Sequence, residues 1–439
     1  MKSRLAVAVA AVLFALSSGP TSAIGQDGSD DEMPIGIPDL MIFTDGEAEL
    51  RSGADTTFDN VDCLSELGIV FDADLTLFYQ GVTSGGREQE FPFGGHGDYV
   101  LNLDCEKLLG QEGLFLQVRA EHRFGEDVNL LTGALMPASI LMSLPVPNDN
   151  ELVLSEFTAT QFLSENFAVF LGKAAAIEGD PNRFAAGRGR EQFSNLALVA
   201  NPVPMNAMPY ATLTAGFVYT ADPYFNQYIK FLIRNPTDTT TTSGLSELFA
   251  EGVTLALDGR LHTNFFGKSG HQLLGGIWTN REFNSLGQDP RILFPPLGIP
   301  IEKKSGSWTI MYNFDQYLVV DPCDPNRGWG LFGRAAISDG NPNPLHWFLS
   351  LGVGGSSPIS SRERDTFGIG WYYIGLSDEV GEIANTLLLP RDETGVEVYY
   401  KATVTDWFEL TTDVQVLEPA IRRGATTAVV AGLRANIEF

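Results

Sequence analysis

The last fifteen residues of the chain, ATTAVVAGLRANIEF, alternate between apolar and polar side chains and end on an aromatic residue. Alternate residues of a β-strand point to opposite faces, so this segment would have one apolar and one polar face. The first face holds Thr427, Val429, Ala431, Leu433, Ala435, Ile437 and Phe439, and the second holds Gly432, Arg434, Asn436 and Glu438. A membrane-spanning β-barrel requires this pattern, because lipid lies outside it and water inside.

The terminal aromatic, Phe439, is typical of the signal by which bacterial outer-membrane proteins reach their assembly machinery. We therefore expect that machinery to be a partner of the chain. Many soluble proteins also end in an alternating strand, so the C-terminus alone leaves a soluble secreted β-sandwich open.

The N-terminus has the order of a secretory signal peptide. Lys2 and Arg4 precede an apolar stretch over residues 5–16, and small residues follow as far as Ala23. Such a segment is removed after export, and we expect cleavage after Ala23. The apolar stretch is too short to span a membrane as a helix. Because Ile24 rather than a cysteine follows, a lipoprotein attachment site is not expected.

The remaining sequence divides into two parts. Residues 24–60 are acidic and rich in Gly, Pro and Ser, which predicts a flexible leader. Residues 61–439 carry repeated amphipathic segments and are predicted to form one outer-membrane β-barrel. The mean hydropathy of +0.00 is consistent with this prediction, because lipid-facing and lumen-facing side chains average out.

The charge of the chain is strongly acidic, with a formal net charge of -27. Loss of Lys2 and Arg4 with the signal peptide would bring it to about -29. No basic stripe is present to neutralise phosphates, which argues against a nucleic-acid partner.

Three cysteines, Cys63, Cys105 and Cys323, are an odd number for an exported protein. Cys63 and Cys105 could pair and leave Cys323 free, but the sequence leaves this open. No cysteine or histidine spacing indicates zinc, and no metal or cofactor is expected.

Amphipathic strands repeat through the barrel region. The segments beginning at Leu67, Gly113 and Val253 each separate an apolar face from a polar one. GVEVYYKATVT and DWFELTTDVQV meet near Thr405 and Asp406, which predicts a tight hairpin. The candidates number roughly sixteen, each about 10–14 residues long, within the range of bacterial barrels.

Two regions interrupt this rhythm. Residues 179–206 lack alternation and carry Arg183, Arg188 and Arg190, followed by apolar residues at roughly helical spacing. A segment of this length predicts either an inserted functional loop or a small helical element. Residues 283–306 are rich in Pro and Gly and are predicted to form a long surface loop.

Catalytic motifs do not emerge. GWGLFG, from Gly328, matches the dinucleotide fingerprint formally, but the residues after it favour a strand rather than the required helix. No GxSxG, HExxH or Walker A sequence is present, and the five histidines are scattered. His122 is interpreted as a residue at the membrane boundary. The chain is therefore not expected to be an enzyme.

The stretch over residues 321–377 resembles the carbohydrate-selective porins of the OprB family. The similar features are a GLFGR strand, an SDGNPNP turn, and the strands WFLSLGVGG and DTFGIGWYY. The segment FAAGRGREQFSNLALVANPVP resembles the internal loop of that family. The resemblance implies a sixteen-stranded barrel in the bacterial outer membrane through which sugars diffuse passively. Porins of this kind are often homo-oligomers, but the sequence does not distinguish a monomer from a trimer.

Predicted inward charges supply candidate pore-lining residues, because sugars are neutral and rich in hydroxyl groups. The candidates are Arg119, Glu121, Arg188, Arg190, Glu191, Asn195, Asp258, Arg260, Arg334, Glu409 and Asp413. Inward-facing charged residues of any barrel also contact lumen water and form ion pairs across strands. For each of these residues taken singly, such a structural role is the alternative to sugar binding. The alternatives for the whole chain are a general porin, a structural or receptor barrel, and a soluble secreted β-sandwich or an enzyme.

Overall fold

A computed structural model of the chain describes residues 64–439, except for 147–151, 178–179, 223–224, 238–239, 242, 290, 292–297, 323, 325–326 and 382–388. The predicted signal peptide, its cleavage after Ala23, the acidic leader, Cys63 and Cys323 lie outside these residues. Cys105 is buried at the start of a short helix.

Sixteen strands form the fold. They are β1 (Ile69–Gly86), β2 (Phe93–Asp104), β3 (Leu114–Gly125), β4 (Val153–Ser164), β5 (Phe167–Ala175), β6 (Ala211–Thr220), β7 (Tyr228–Arg234), β8 (Thr254–Phe265), β9 (Lys268–Asn284), β10 (Lys303–Val320), β11 (Gly328–Ser338), β12 (Leu345–Ser356), β13 (Thr366–Leu376), β14 (Glu393–Thr405), β15 (Phe408–Glu418) and β16 (Thr426–Glu438). Within the described residues, the α-helices are α1 (Cys105–Leu109), α2 (Asn129–Thr132) and α3 (Leu196–Val199), and four 3-10 helices span Leu141–Ser143, Gly187–Gly189, Val203–Asn206 and Leu245–Glu247. Among the described residues, none of these helices has the length and apolar character to cross a membrane.

The strands pair with their sequence neighbours and close into a barrel where β1 meets β16. At this seam Leu75 lies opposite Ile437 and Tyr79 lies opposite Leu433. The backbone N–H of Phe439 donates to the carbonyl of Ala73 at 2.9 Å, which extends the ladder to the last residue. Closure leaves no unpaired strand edge, as a membrane requires. The prediction of about sixteen antiparallel strands is therefore confirmed.

The two ends of the barrel differ. At the end that holds Phe439, two-residue turns join β4 to β5, β8 to β9 and β14 to β15. The last of these, Asp406–Trp407, confirms the predicted hairpin. At the opposite end, residues 126–152 and 176–210 form the long connections that position the candidate site. We call these the first insertion and the second insertion.

The strands vary more in length than the predicted 10–14 residues. β1 and β10 have 18 residues, whereas β7 has only 7. β7 ends at Arg234 because Pro236 follows two residues later and proline has no N–H to donate to a ladder.

The alternation read from the sequence matches the two faces of the barrel wall. On β16, Leu433 faces outward and is 45% exposed, whereas its neighbour Arg434 faces the lumen and is buried. On β1, Phe71 and Tyr79 lie on the outer face, and Asp74 lies inside. The outer surface carries many further exposed apolar side chains, and this surface is suited to lipid.

The other predicted segments are placed as follows. The loop expected over 283–306 is somewhat shorter, because β9 continues to Asn284 and β10 begins at Lys303. GWGLFG lies within β11, so the helix that a dinucleotide site requires does not begin there. His122 packs on the outer wall, with its ring stacked 5.8 Å from that of Tyr99.

Candidate functional site in the barrel lumen

The second insertion folds into the barrel instead of projecting from it. Phe193, Ala197 and Leu198 are fully buried although they belong to a connection between β5 and β6. α3 begins where Asn195 caps it, since the Asn195 side chain accepts a hydrogen bond from the Ala197 N–H at 3.0 Å. This local structure explains the helical spacing in the sequence. The insertion divides the lumen into a filled part and an open part.

Arg190 joins the tip of the second insertion to the first two strands. Its Nη1 lies 2.7 Å from Oδ2 of Asp74 on β1 and 3.7 Å from Oδ2 of Asp98 on β2. Its Nη2 donates to Glu191 at 3.1 Å, within the insertion itself. Arg190 and Asp74 are both buried, so the low local dielectric strengthens their attraction.

Arg188 makes a second charged contact, with β3. The residue adopts a positive φ of 53°, between two glycines, and its guanidinium reaches the Glu121 carboxylate. It also donates to the Tyr210 hydroxyl at 2.7 Å, and that hydroxyl donates to Glu121 Oε2 at 2.5 Å. Burial raises the pKa of Tyr210 well above its ordinary value, so the hydroxyl keeps the proton that it donates. Arg188 and Tyr210, the last residue of the second insertion, thus bind the same carboxylate of β3. This holds both the middle and the C-terminal end of the insertion against the wall.

Glu397 of β14 binds the backbone of the insertion. Its carboxylate accepts the N–H of Ser194 at 2.6 Å and the N–H of Asn195 at 2.9 Å. The Asn195 side-chain amide donates to Gln415 of β15 at 3.1 Å. Two backbone donors that precede α3 are therefore satisfied by the barrel wall.

Arg334 of β11 holds the start of the insertion. Its Nε donates to the Asp180 carboxylate at 2.8 Å, and its two Nη atoms donate to the carbonyls of Leu198 and Ala185 at 2.8 and 2.6 Å. Burial raises the pKa of Asp180 above its ordinary value, while the Arg334 guanidinium acts in the opposite direction. Because Arg334 binds three separated residues, it holds the fold of the insertion as well as its position.

Aromatic rings fill the space between the second insertion and strands β10 to β14. The Phe193 ring lies 5.2 Å from that of Phe332 and 4.9 Å from that of Tyr399. Phe184 packs edge-on against Tyr317 at 5.0 Å. Burial of such rings is a large apolar contribution, so this part of the lumen is a packed core and not an aqueous space.

The first insertion packs beside the second. Glu393 of β14 accepts the backbone N–H groups of Leu135 and Met136 at 2.6 and 3.0 Å. The Ile140 N–H donates to the Ser194 carbonyl of the second insertion at 3.0 Å. Both insertions thus lie on the same side of the lumen.

An open cavity of about 560 Å³ remains between the insertions and the wall formed by β5 to β10. On the wall its lining includes Phe170, Thr214, Lys230, Leu232, Asp258 and Ile277. On the other side its lining includes Ile140, Leu144, Pro204, Met208 and Tyr210. The volume is within the range of small-molecule sites, and the open part of the lumen lies along β5 to β10.

The structure places the predicted pore-lining residues in two groups. Asp258 lines the cavity, where its Oδ2 lies 3.5 Å from Lys230 Nζ. The other ten lie in polar contacts within the insertion, between the insertion and the wall, or between strands. They are Arg119 3.6 Å from Asp98, Arg260 3.7 Å from Asp315, Glu409 2.8 Å from Lys401, Asp413 3.4 Å from Gln80, and Glu121, Arg188, Arg190, Glu191, Asn195 and Arg334 as described above. Their part in lining a pore stays a prediction.

Some residues of the site were not predicted. The first insertion was not recognised, although MPASILMSLPVP lacks alternation and holds three prolines. Glu393 and Glu397 fall on the inward face of β14 by alternation, but nothing in the sequence shows that they bind loop backbone. Lys230 was also missed, although its position opposite Asp258 follows once β7 and β8 are paired in register.

A closed sixteen-stranded antiparallel barrel with an internal loop and an open lumen defines a channel of the outer-membrane type. The family model described as "Carbohydrate-selective porin, OprB family" matches residues 94–439. The chain therefore belongs to the OprB family of carbohydrate-selective porins. This family consists of channels and not of enzymes, and its members are outer-membrane proteins, so the chain lies in the bacterial outer membrane.

Similarity to individual proteins agrees with this assignment. Porin B of Pseudomonas aeruginosa is 26% identical over 152 residues, which is 31% of this chain and 33% of that protein. The alignment therefore spans about a third of the relative's length. The high-pH structure of Pseudomonas putida OprB has a TM-score of 0.76 at 19% identity, over 87% of this chain and 96% of that one. The low-pH structure of the same protein has a TM-score of 0.54 at 13% identity, over 91% and 99%. At these identities the two structures support the fold alone.

Proposed function

We propose that the chain is an outer-membrane porin that allows carbohydrates, such as mono- and small oligosaccharides, to diffuse passively into the periplasm. The observation that carries the proposal is the open cavity of about 560 Å³ along β5 to β10. It lies in a barrel of a carbohydrate-selective family. A solute in such a lumen exchanges part of its hydration for serial weak contacts, which permits rapid passage when no single contact is tight.

The second insertion is the proposed constriction element. Arg188 and Arg190 fix it to β1 and β3 by buried charged contacts, so its inner edge has a defined position. We propose that these arginines set the width of the open lumen by holding the insertion away from β5 to β10. Glu191 and Asn195, on the same segment, contribute to its shape. In this role the arginines act through the position of the loop.

Liposome swelling tests the function directly. Purified, heat-modifiable protein is reconstituted, and the uptake of glucose and a disaccharide is compared with that of size-matched neutral and charged solutes. Faster uptake of the sugars supports the proposal. Uptake ordered by size alone would instead identify a general porin. Absence of swelling, from protein shown to be inserted, would remove the transport function.

The double variant Arg188→Ala, Arg190→Ala tests the constriction. We expect a wider pore or an altered solute preference, because the insertion loses two of its charged contacts. Arg364→Ala is a matched control, since Arg364 is exposed and pairs with Asp406 at the short-turn end. Unchanged conductance and unchanged sugar uptake in the double variant would exclude the assignment.

Two partner proposals accompany this function. Phe439 is 79% exposed at the end of β16, and we propose that it is read by the barrel-assembly machinery. Deletion of Phe439 should lower the amount of heat-modifiable barrel in the outer membrane. We also propose a homo-oligomer, which crosslinking in native outer membranes would detect.

A further inference from the structure

The wall of the cavity carries an apolar band. Leu232 of β7 lies directly opposite Ala256 of β8, and Ala256 lies opposite Ile277 of β9. Met311 of β10 lies opposite Gly275 and continues the band. All four side chains are on the lumen face and line the cavity. The band therefore crosses β7, β8 and β9 in one row, and Met311 extends its apolar surface on β10 beside Thr309, which lies opposite Ile277.

The opposite side of the cavity adds further apolar surface. Ile140 and Leu144 of the first insertion and Pro204 and Met208 of the second insertion line it, beside polar groups that include Asn206. Carbon therefore makes up much of the surface on both sides of the cavity. This differs from a lumen in which hydroxyl groups meet donors and acceptors all around.

Polar groups lie next to the band on β7 and β8. Lys230 and Asp258 form a cross-strand pair at 3.5 Å, two residues along β7 and β8 toward the short-turn end. Arg234 lies two residues beyond Leu232 toward the other end, and its Nη2 donates to the Ala174 carbonyl at 2.8 Å. Hydrogen-bonding groups thus lie on either side of Leu232 along β7, with apolar surface between them.

This arrangement distinguishes solutes of equal size by how many of their groups are apolar. A hydroxyl group that enters an apolar region loses hydrogen bonds to water without replacement, whereas a methyl or aromatic group gains by leaving water. Two sugars of the same size therefore differ in how readily they pass the band.

We infer that the lumen of this chain favours carbohydrates that carry an apolar face or substituent, such as deoxy sugars and alkyl or aryl glycosides, over fully hydroxylated sugars of equal size. The inference rests on the proposed function, because it concerns the selectivity of the same channel. Leu232, Ile277 and Met311 are the residues that determine this preference.

Liposome swelling with D-galactose and D-fucose, its 6-deoxy form, is the test. The two solutes are nearly equal in size and differ by one hydroxyl group. We expect D-fucose to enter about two- to fourfold faster, which is the effect of transferring roughly one apolar carbon. Equal initial rates, or faster D-galactose, would overturn the inference while leaving the channel function intact. No swelling with either solute would instead contradict the proposed function.

Variants assign the preference to the band. Ile277→Asn should bring the ratio of the two rates close to one, whereas the control Ile277→Val, which keeps the wall apolar, should preserve it. Heat-modifiable gel mobility shows whether each variant has folded. Met311→Gln, which nearly keeps the side-chain shape, provides a second test if Ile277→Asn does not fold. An unchanged ratio in a folded polar variant would show that the band does not select.

Discussion

Arg190 Nη1 lies 2.7 Å from Oδ2 of Asp74, so an arginine near the middle of the chain binds a carboxylate on the first strand of the barrel. The contact crosses the lumen side of the closure seam, where β1 pairs with β16. It therefore ties the inserted loop to β1, one of the two strands that meet at the seam.

Removal of this contact should loosen the loop. Arg190→Ala leaves Asp74 buried with one partner fewer, and breaking a buried ion pair from one side commonly costs about 3–5 kcal/mol. We expect higher and noisier single-channel conductance in planar bilayers. Asp74→Asn should act in the same direction, and the two changes together should be less than additive because they remove the same interaction. Strict additivity would show that the pair does not hold the loop.

Glu397→Gln should destabilise the folded barrel. The carboxylate accepts two backbone N–H groups, and an amide offers one oxygen acceptor beside an NH2 group that cannot accept. An unsatisfied buried donor costs about 1–3 kcal/mol. The temperature at which gel mobility changes on heating should fall. Glu418→Gln, on an exposed carboxylate of β15, is the control and should leave that temperature unchanged.

Phe193→Ala tests whether the filled part of the lumen is a structural core. The ring is fully buried against Phe332 and Tyr399, and truncation of such a ring typically costs about 3–5 kcal/mol. We expect a lower heat-modification temperature together with increased conductance, because the loop loses its apolar contact with β11 and β14. Phe266→Ala, at a turn where the ring is 97% exposed, should change neither. If the variant loses stability but keeps its conductance, Phe193 stabilises the barrel without controlling the width of the pore.

The barrel could be predicted because period-two alternation is a local property. The alternation of apolar and polar residues within a strand is enough to predict which side chains face lipid and which face the lumen. Leu433 and Arg434 lie on the faces that the C-terminal pattern predicts. Strand length was less predictable, since it depends on turn residues such as Pro236 and on neighbouring strands. The strands of the barrel wall can thus be predicted separately, each from its own short segment of sequence.

The candidate site was less predictable because its contacts join residues far apart in the chain. The arginines of the second insertion were recognised as unusual, but their partners Asp74 and Glu121 are known only once the loop has folded inward. The same holds for Glu397, whose inward direction follows from alternation but whose contact with Ser194 does not. The open side of the lumen depends on which wall the insertion covers, and no local pattern contains that information.

Asp258→Asn should shift the ion selectivity of the open lumen toward anions. Asp258 lines the cavity and its carboxylate lies 3.5 Å from Lys230 Nζ, so the variant leaves the Lys230 charge uncompensated beside the path. A unit charge about 6 Å from an ion in water changes its energy by about 0.7 kcal/mol, which is a factor of about three. The zero-current potential of planar bilayers under a KCl gradient measures this change.

Lys230→Met is the reciprocal variant and should shift the zero-current potential in the opposite direction, because it leaves the Asp258 charge. Asp406→Asn, at an exposed turn outside the lumen, should leave the potential unchanged. If Asp258→Asn and Asp406→Asn give the same potential, ions do not pass beside β7 and β8. The conducting path would then lie elsewhere in the barrel, and the proposed constriction would have to be reassigned with it.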